Sequence, residues 1–144
     1  MIEKDTIRLL RECDAGAKMG VTSINDSLDH AKDPGLRAIL EVSRADHDRL
    51  SGELRKLLDR YCDEGKDPPA MAELMSRLKA GFRLAGKEPD KAVADFVIDG
   101  CNMGVKSLSK YLDEYAAADE KSKDICKRLI SLEDRLSHDL RGYL

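Results

Sequence analysis

Tryptophan is absent from this chain, and only two phenylalanines and four tyrosines are present. So few flat rings exclude a stacking platform for the bases of single-stranded nucleic acid. An excess of one charge is missing too. The 25 basic and 28 acidic residues are interspersed and leave a net charge of −3, which is no electrostatic footprint for DNA or RNA. No apolar run approaches the roughly 18 residues of a membrane span. The first residues, Met1-Ile2-Glu3-Lys4-Asp5, lack the apolar core of a signal peptide, so a cytoplasmic location is the default expectation. The four cysteines, Cys13, Cys62, Cys101 and Cys126, form no C-x-x-C pair, which speaks against a zinc site. In a reduced compartment they are expected to be small buried apolar residues. Nucleophile elbows, phosphate loops and dinucleotide-binding glycine fingerprints are likewise missing.

What is present is a repeat. Residues 16–29 contain Gly16, Met19, Gly20, Val21, Ser23, Leu28 and Asp29, and all seven types return 84 positions later as Gly100, Met103, Gly104, Val105, Ser107, Leu112 and Asp113. A second echo follows each copy: Asp48-Arg49-Leu50-Ser51 and Leu54 return 86 positions later as Asp134-Arg135-Leu136-Ser137 and Leu140. The 144 residues therefore read as two copies of one helical hairpin in a single domain, 1–144.

Apolar positions recur at steps of three and four along four long stretches, the mark of amphipathic helices. The first spans about 4–31, with Thr6, Leu9, Leu10, Cys13, Ala17, Gly20, Ile24, Leu28 and Ala31 inward. Asp33-Pro34 is a helix start, with Asp as N-cap and Pro at the first helical position. The second helix then runs to about 63, with Leu36, Leu40, Ser43, His47, Leu50, Leu54, Leu57 and Tyr61 inward. Glu-Gly-Lys-Asp-Pro-Pro at 64–69 ends it sharply. A shorter crossover helix of about 70–86 carries Met71, Leu74, Met75, Leu78, Phe82 and Ala85 on one face. Its other face carries Arg77, Lys79, Arg83 and Lys87. That basic face suits an acidic partner or a membrane surface, and the ordinary alternative is a packed crossover with solvated cations. The third long helix spans about 90–117, with Val93, Phe96, Val97, Gly100, Gly104, Leu108, Tyr111 and Tyr115 inward. The fourth spans about 120–143, with Ile125, Leu129, Leu132, Leu136, Leu140 and Leu144 inward. No stretch alternates as a strand does.

The fold class is thus all-α: two antiparallel hairpins, 4–63 and 90–143, joined by a crossover helix in up-down-down-up order with a pseudo-two-fold. Mid-helix glycines cost up to about 1 kcal/mol each relative to alanine. Keeping the pair twice predicts Gly16 and Gly20 facing Gly100 and Gly104 where the first and third long helices touch. His47 and Glu133 stand at equivalent places in the two copies and are expected to meet as a buried polar pair.

With its two hairpins, its crossover around Met75–Gly86, its Gly100–Leu112 stretch and its Glu133-Asp134-Arg135-Leu136…Leu140-Arg141 ending, the chain resembles the small bacterial members of the ferritin-like superfamily. The resemblance covers nearly the whole chain. Metal-binding members supply one inward Glu from each of the first and third long helices and Glu-x-x-His from each of the second and fourth. On that pattern the matching positions here are Lys18 and Asn102, a cation and an uncharged amide. His47 matches a histidine, but Arg44 stands three residues before it. The mate of His47 is Glu133, preceded at that spacing by Ile130. Arg135 precedes His138, and Ser27 precedes His30. The resemblance therefore implies a metal-free bundle that binds or assembles rather than catalyses, with no cofactor. The competing reading is a metal-dependent oxidase, peroxidase or iron-handling protein with a rearranged site of His47, Glu133, Asp46 and Cys13 or Cys101. A third is a small-molecule or lipid carrier using the glycine-lined middle. A homodimer is compatible with all three.

Overall fold

Two aspartates start the second helix of each hairpin. Asp33 precedes Pro34 and accepts the Leu36 backbone N–H at 2.9 Å. Asp119 accepts that of Ser122 at 2.8 Å. Each such cap is worth roughly 1 kcal/mol. The computed structural model describes residues 2–69, 71–84, 86 and 88–144. Its helices are α1 (Ile2–Leu28), α2 (Pro34–Arg60), α3 (Met71–Leu84), α4 (Pro89–Glu114) and α5 (Glu120–Asp139), followed by a 3-10 turn, Arg141–Tyr143. Among the described residues there is no strand.

The long helices stop a few residues short of the expected ends. At α2 the reason is a Schellman ending. Cys62 N–H donates to the Asp59 carbonyl at 3.1 Å, and Asp63 N–H to that of Leu58 at 3.1 Å. This puts Cys62 at φ 52°, a conformation glycine adopts without cost. Cys62 is therefore exposed, against the expectation of four buried cysteines; Cys13, Cys101 and Cys126 are buried.

The two hairpins lock each other's turns. Asp90, in the first turn of α4, accepts the backbone N–H groups of Lys32 at 2.6 Å and Asp33 at 3.1 Å. Reciprocally, Thr6 Oγ1 in the first turn of α1 accepts Asp119 N–H at 2.8 Å, and Asp5 accepts Ala117 N–H at 3.2 Å. Groups that a loop would leave orphaned are satisfied from the other hairpin. The start of α1 thus lies by the end of α4, and the two run antiparallel. Arg128 with Glu53 and His47 with Glu133 set α2 and α5 antiparallel as well. α1 packs on α2 and α4, α5 packs on α4 and α2, and α3 rests on α4.

Residues 61–69 are pinned to α1. Arg11 grips Asp63 with two nitrogens, at 2.7 and 3.0 Å. Asp14 accepts Lys66 N–H at 3.0 Å. Lys18 binds Asp14 at 2.9 Å and Asp67 at 3.0 Å. Most of α3's expected apolar face (Met71, Leu74, Leu78, Phe82, Ala85) lies outside the described side chains, as do Arg83 and Lys87. Arg77 and Lys79 are exposed.

The stripes of α1 and α2 are buried along their length, apart from Gly20 and Tyr61, which are half-buried. Two inward expectations fail: Gly100 and Leu144 are exposed. Leu144 follows the 3-10 turn, where the α5 period has ended. The core divides into two clusters. One gathers Leu9, Leu54, Leu58 and Leu129, and the other Ile24, Leu36, Leu40, Val93 and Leu140. A polar layer separates them.

Candidate functional site

Each long helix contributes one residue to that layer: Gly20 from α1, His47 from α2, Gly104 from α4 and Glu133 from α5. His47 is fully buried and Glu133 is 6% exposed. His47 Nδ1 lies 2.8 Å from the Ser43 carbonyl, one helical turn back, and must donate to it. His47 Nε2 lies 3.2 Å from Glu133 Oε1. With Nδ1–H committed, a proton must also sit between Nε2 and the carboxylate, as imidazolium against carboxylate or as neutral ring against acid. Burial would lower the His47 pKa. The hydrogen bond that His47 donates to Glu133, that residue's charge, the Ser43 carbonyl and the Asp46 charge outweigh it and raise the pKa above the ordinary 6.5. The charged pair is the form this arrangement favours.

The glycines make room for the pair. A Cβ on Gly20 would stand 2.8 Å from two atoms of the His47 ring. A Cβ on Gly104 would stand 3.4 Å from Glu133 Oε2. A Cβ on Gly16 would meet Leu108 and Leu129 at ordinary distances, and one on Gly100 would meet nothing within 4 Å among the described residues. So neither Gly16 nor Gly100 makes the expected glycine-to-glycine contact between α1 and α4. All four glycines line a cavity of about 340 Å³ that opens between these helices. Its walls are mainly apolar, Met19 and Ile24 from α1 and Val97 and Met103 from α4, and Glu133 reaches into it. Pro68 and Pro69 of the pinned crossover cover one side.

Lys18 and Asn102 are not in this layer. Lys18 points to the crossover loop, and exposed Asn102 accepts a hydrogen bond from Ser137 Oγ at 3.3 Å. The one-residue register of a helix decides this: Lys18 lies two positions, some 200° of rotation, from Gly20. Asp46 also stands apart. It pairs with Arg49 at 3.2 Å and lines a second groove, about 280 Å³, between α2 and α5 with Val42 and Arg135. Arg44 bonds Asn25. His30 and His138 are exposed. Cys13 lies in the other core cluster, with Cys126.

Of the two cysteines named for a rearranged site, Cys101 is the one that lies beside the pair. It is buried, and burial and then the Glu133 charge push its thiol pKa far up. It remains a protonated thiol and no nucleophile. Its signal was the α4 period itself, since Val93, Val97, Cys101 and Leu108 are the buried line. Among the described residues no three of His, Cys, Asp and Glu converge as metal ligands.

Compared with known proteins, the chain matches no family model, no curated protein and no solved structure. What the site can do rests on its own geometry: a closed proton-sharing pair, no activated nucleophile, and space beside it.

Proposed function

We propose that the protein is a ligand-binding bundle of the ferritin-like kind, in which the cavity between α1 and α4 is the binding site. The observation that carries this reading is the cavity itself: apolar walls, four glycines, and a buried carboxylate at its floor. Ligand sites are commonly concave and mostly apolar with a few placed polar groups. The up-down-down-up helix order supports the ferritin-like assignment. In that superfamily the first and third long helices present carboxylates inward. Here the residues facing the His47–Glu133 pair from α1 and α4 are Gly20 and Gly104, so neither helix presents a carboxylate there.

The test is saturable binding of an apolar fluorescent probe to the purified protein, compared with Gly100→Phe. A phenylalanine at 100 meets none of the described residues within 4 Å at its Cβ, so the helical spectrum should stay unchanged while probe binding is lost. Binding that survives Gly100→Phe overturns the site. About two equivalents of iron or manganese retained through gel filtration would overturn the metal-free reading and promote the oxidase or iron-handling alternative.

A further inference from the structure

The chemistry of the cavity selects among apolar molecules, and this selection rests on the cavity being the ligand site proposed above. Glu133 is the carboxylate at its floor, and its paired cation, His47, occupies only Oε1, at 3.2 Å. Oε2 is turned toward the missing side chain of Gly104, 3.4 Å from where its Cβ would be. A carboxylate oxygen pair has about four acceptor sites, and His47 fills one. The thiol of Cys101 is near but is a weak donor. A ligand passing between Gly20 and Gly104 therefore meets an acceptor at close range.

The rim has the same sign. Among the described residues, Glu12, Glu73 and Asp99 line it, with Lys66 and Arg77 as the cations. Lys66 is already engaged by Glu12 at 2.5 Å. Asp99 and Glu73 are exposed, and a cation held among them is attracted, whereas a carboxylate is repelled. Hydrogen bonds from a charged donor are roughly twice as strong as neutral ones, and low-dielectric walls raise the difference.

We propose that the cavity binds an apolar molecule bearing one protonated amine, whose ammonium group donates to Glu133 Oε2 while its hydrocarbon part lies between α1 and α4. The cavity reaches from Glu12 to Ile24 along α1. That is roughly 18 Å at 1.5 Å per residue, room for an alkyl chain on either side of the Glu133 level.

The experiment is calorimetric titration of the full chain with decylamine, decanol and decanoate, each below its aggregation concentration. Decylamine should bind at least about ten-fold more tightly than decanol, the worth of one charge-assisted hydrogen bond, and decanoate should not bind. Glu133→Gln should erase the preference for the amine while decanol still binds. Because that variant alters the buried pair, Gly104→Ala serves as a second one. Its methyl group would cover Oε2 at a tolerable distance, and it too should remove the preference while leaving the fold intact. Equal affinity for decylamine and decanol, or a preference that persists in Gly104→Ala, overturns the amine assignment and leaves the cavity as a site. Failure of all three to bind overturns both.

Discussion

α1 and α4 carry the same pattern, two glycines four residues apart, and the pattern does different things in each. On α1, Gly20 is pressed against the His47 ring and Gly16 rests on two leucines. On α4, Gly104 lies under the Glu133 carboxylate, and Gly100 faces none of the described residues. A glycine in a helix states only that a side chain is missing there. What takes the space, whether a neighbour's side chain or nothing, is decided by the opposite helices. Here α2 and α5 differ, with His47 on one and Glu133 at its repeat-equivalent on the other. The chain therefore closes over a polar pair and an asymmetric cavity.

The comparison breaks most severely at the pair itself. His47→Leu removes the partner of a carboxylate that is 6% exposed and should cost about 3–5 kcal/mol, the usual penalty for an uncompensated buried charge. Replacing both His47 and Glu133 by Leu should be nearly neutral, because neither charge is then stranded. Urea unfolding of the two single variants and the double gives the coupling energy. Single and double variants of equal stability would show that the pair contributes nothing.

Next in size is Gly20→Leu. Even a Cβ would stand 2.8 Å from the ring, so the larger side chain must displace His47 from Ser43 and Glu133. A loss of about 1–3 kcal/mol or more is expected, against little change for Gly100→Leu. Equal losses at 20 and 100, measured by the same unfolding curves, would contradict the asymmetry of the two helices.

The hydrophobic stripes, the Asp33 N-cap and the helix order were legible in the residues, because a three-and-four spacing and an Asp before Pro have few other solutions. The polar pair was legible for a different reason: His47 sits on an apolar line, and Glu133 stands 86 positions later at the matching place. What stayed hidden depends on rotation and on tertiary context. Lys18 is two positions from Gly20, and only the packed helix decides which of them looks inward. Its true role was written in a different stripe, Arg11, Asp14 and Lys18, which holds the crossover loop. The end of α2 was hidden because Cys62 sits where glycine is customary.

Smaller again is the response to pH. The folded His47 pKa is raised above 6.5. Its protonation therefore contributes stability that is fully present below 6.5 and is lost as pH rises through the folded value. Wild-type stability should fall relative to the His47→Leu/Glu133→Leu variant on the alkaline side of 6.5. Thermal unfolding of both from pH 6 to 9 measures the difference, and parallel curves would mean the pair does not titrate in that window.

The smallest effect should have the opposite sign. Gly100→Ala places a methyl group where none of the described residues lies within 4 Å, in the middle of α4. No contact is strained and no hydrogen bond is lost. Alanine has the better helix propensity, and it restricts the unfolded chain more than glycine does. Stability should rise by about 0.5–1 kcal/mol. At the equivalent glycine of α1, Gly16→Ala meets Leu108 at 3.7 Å and Leu129 at 3.8 Å. There the propensity gain is joined by ordinary contact, so it should stabilise at least as much. Gly20→Ala has the same propensity gain but collides with His47, and should destabilise. The ordering Gly16→Ala at or above Gly100→Ala, both above wild type, and Gly20→Ala below it, separates propensity from packing at three sites of one repeat. If Gly20→Ala also stabilises, the His47 ring has room to move, and the tight fit between α1 and the polar pair is wrong.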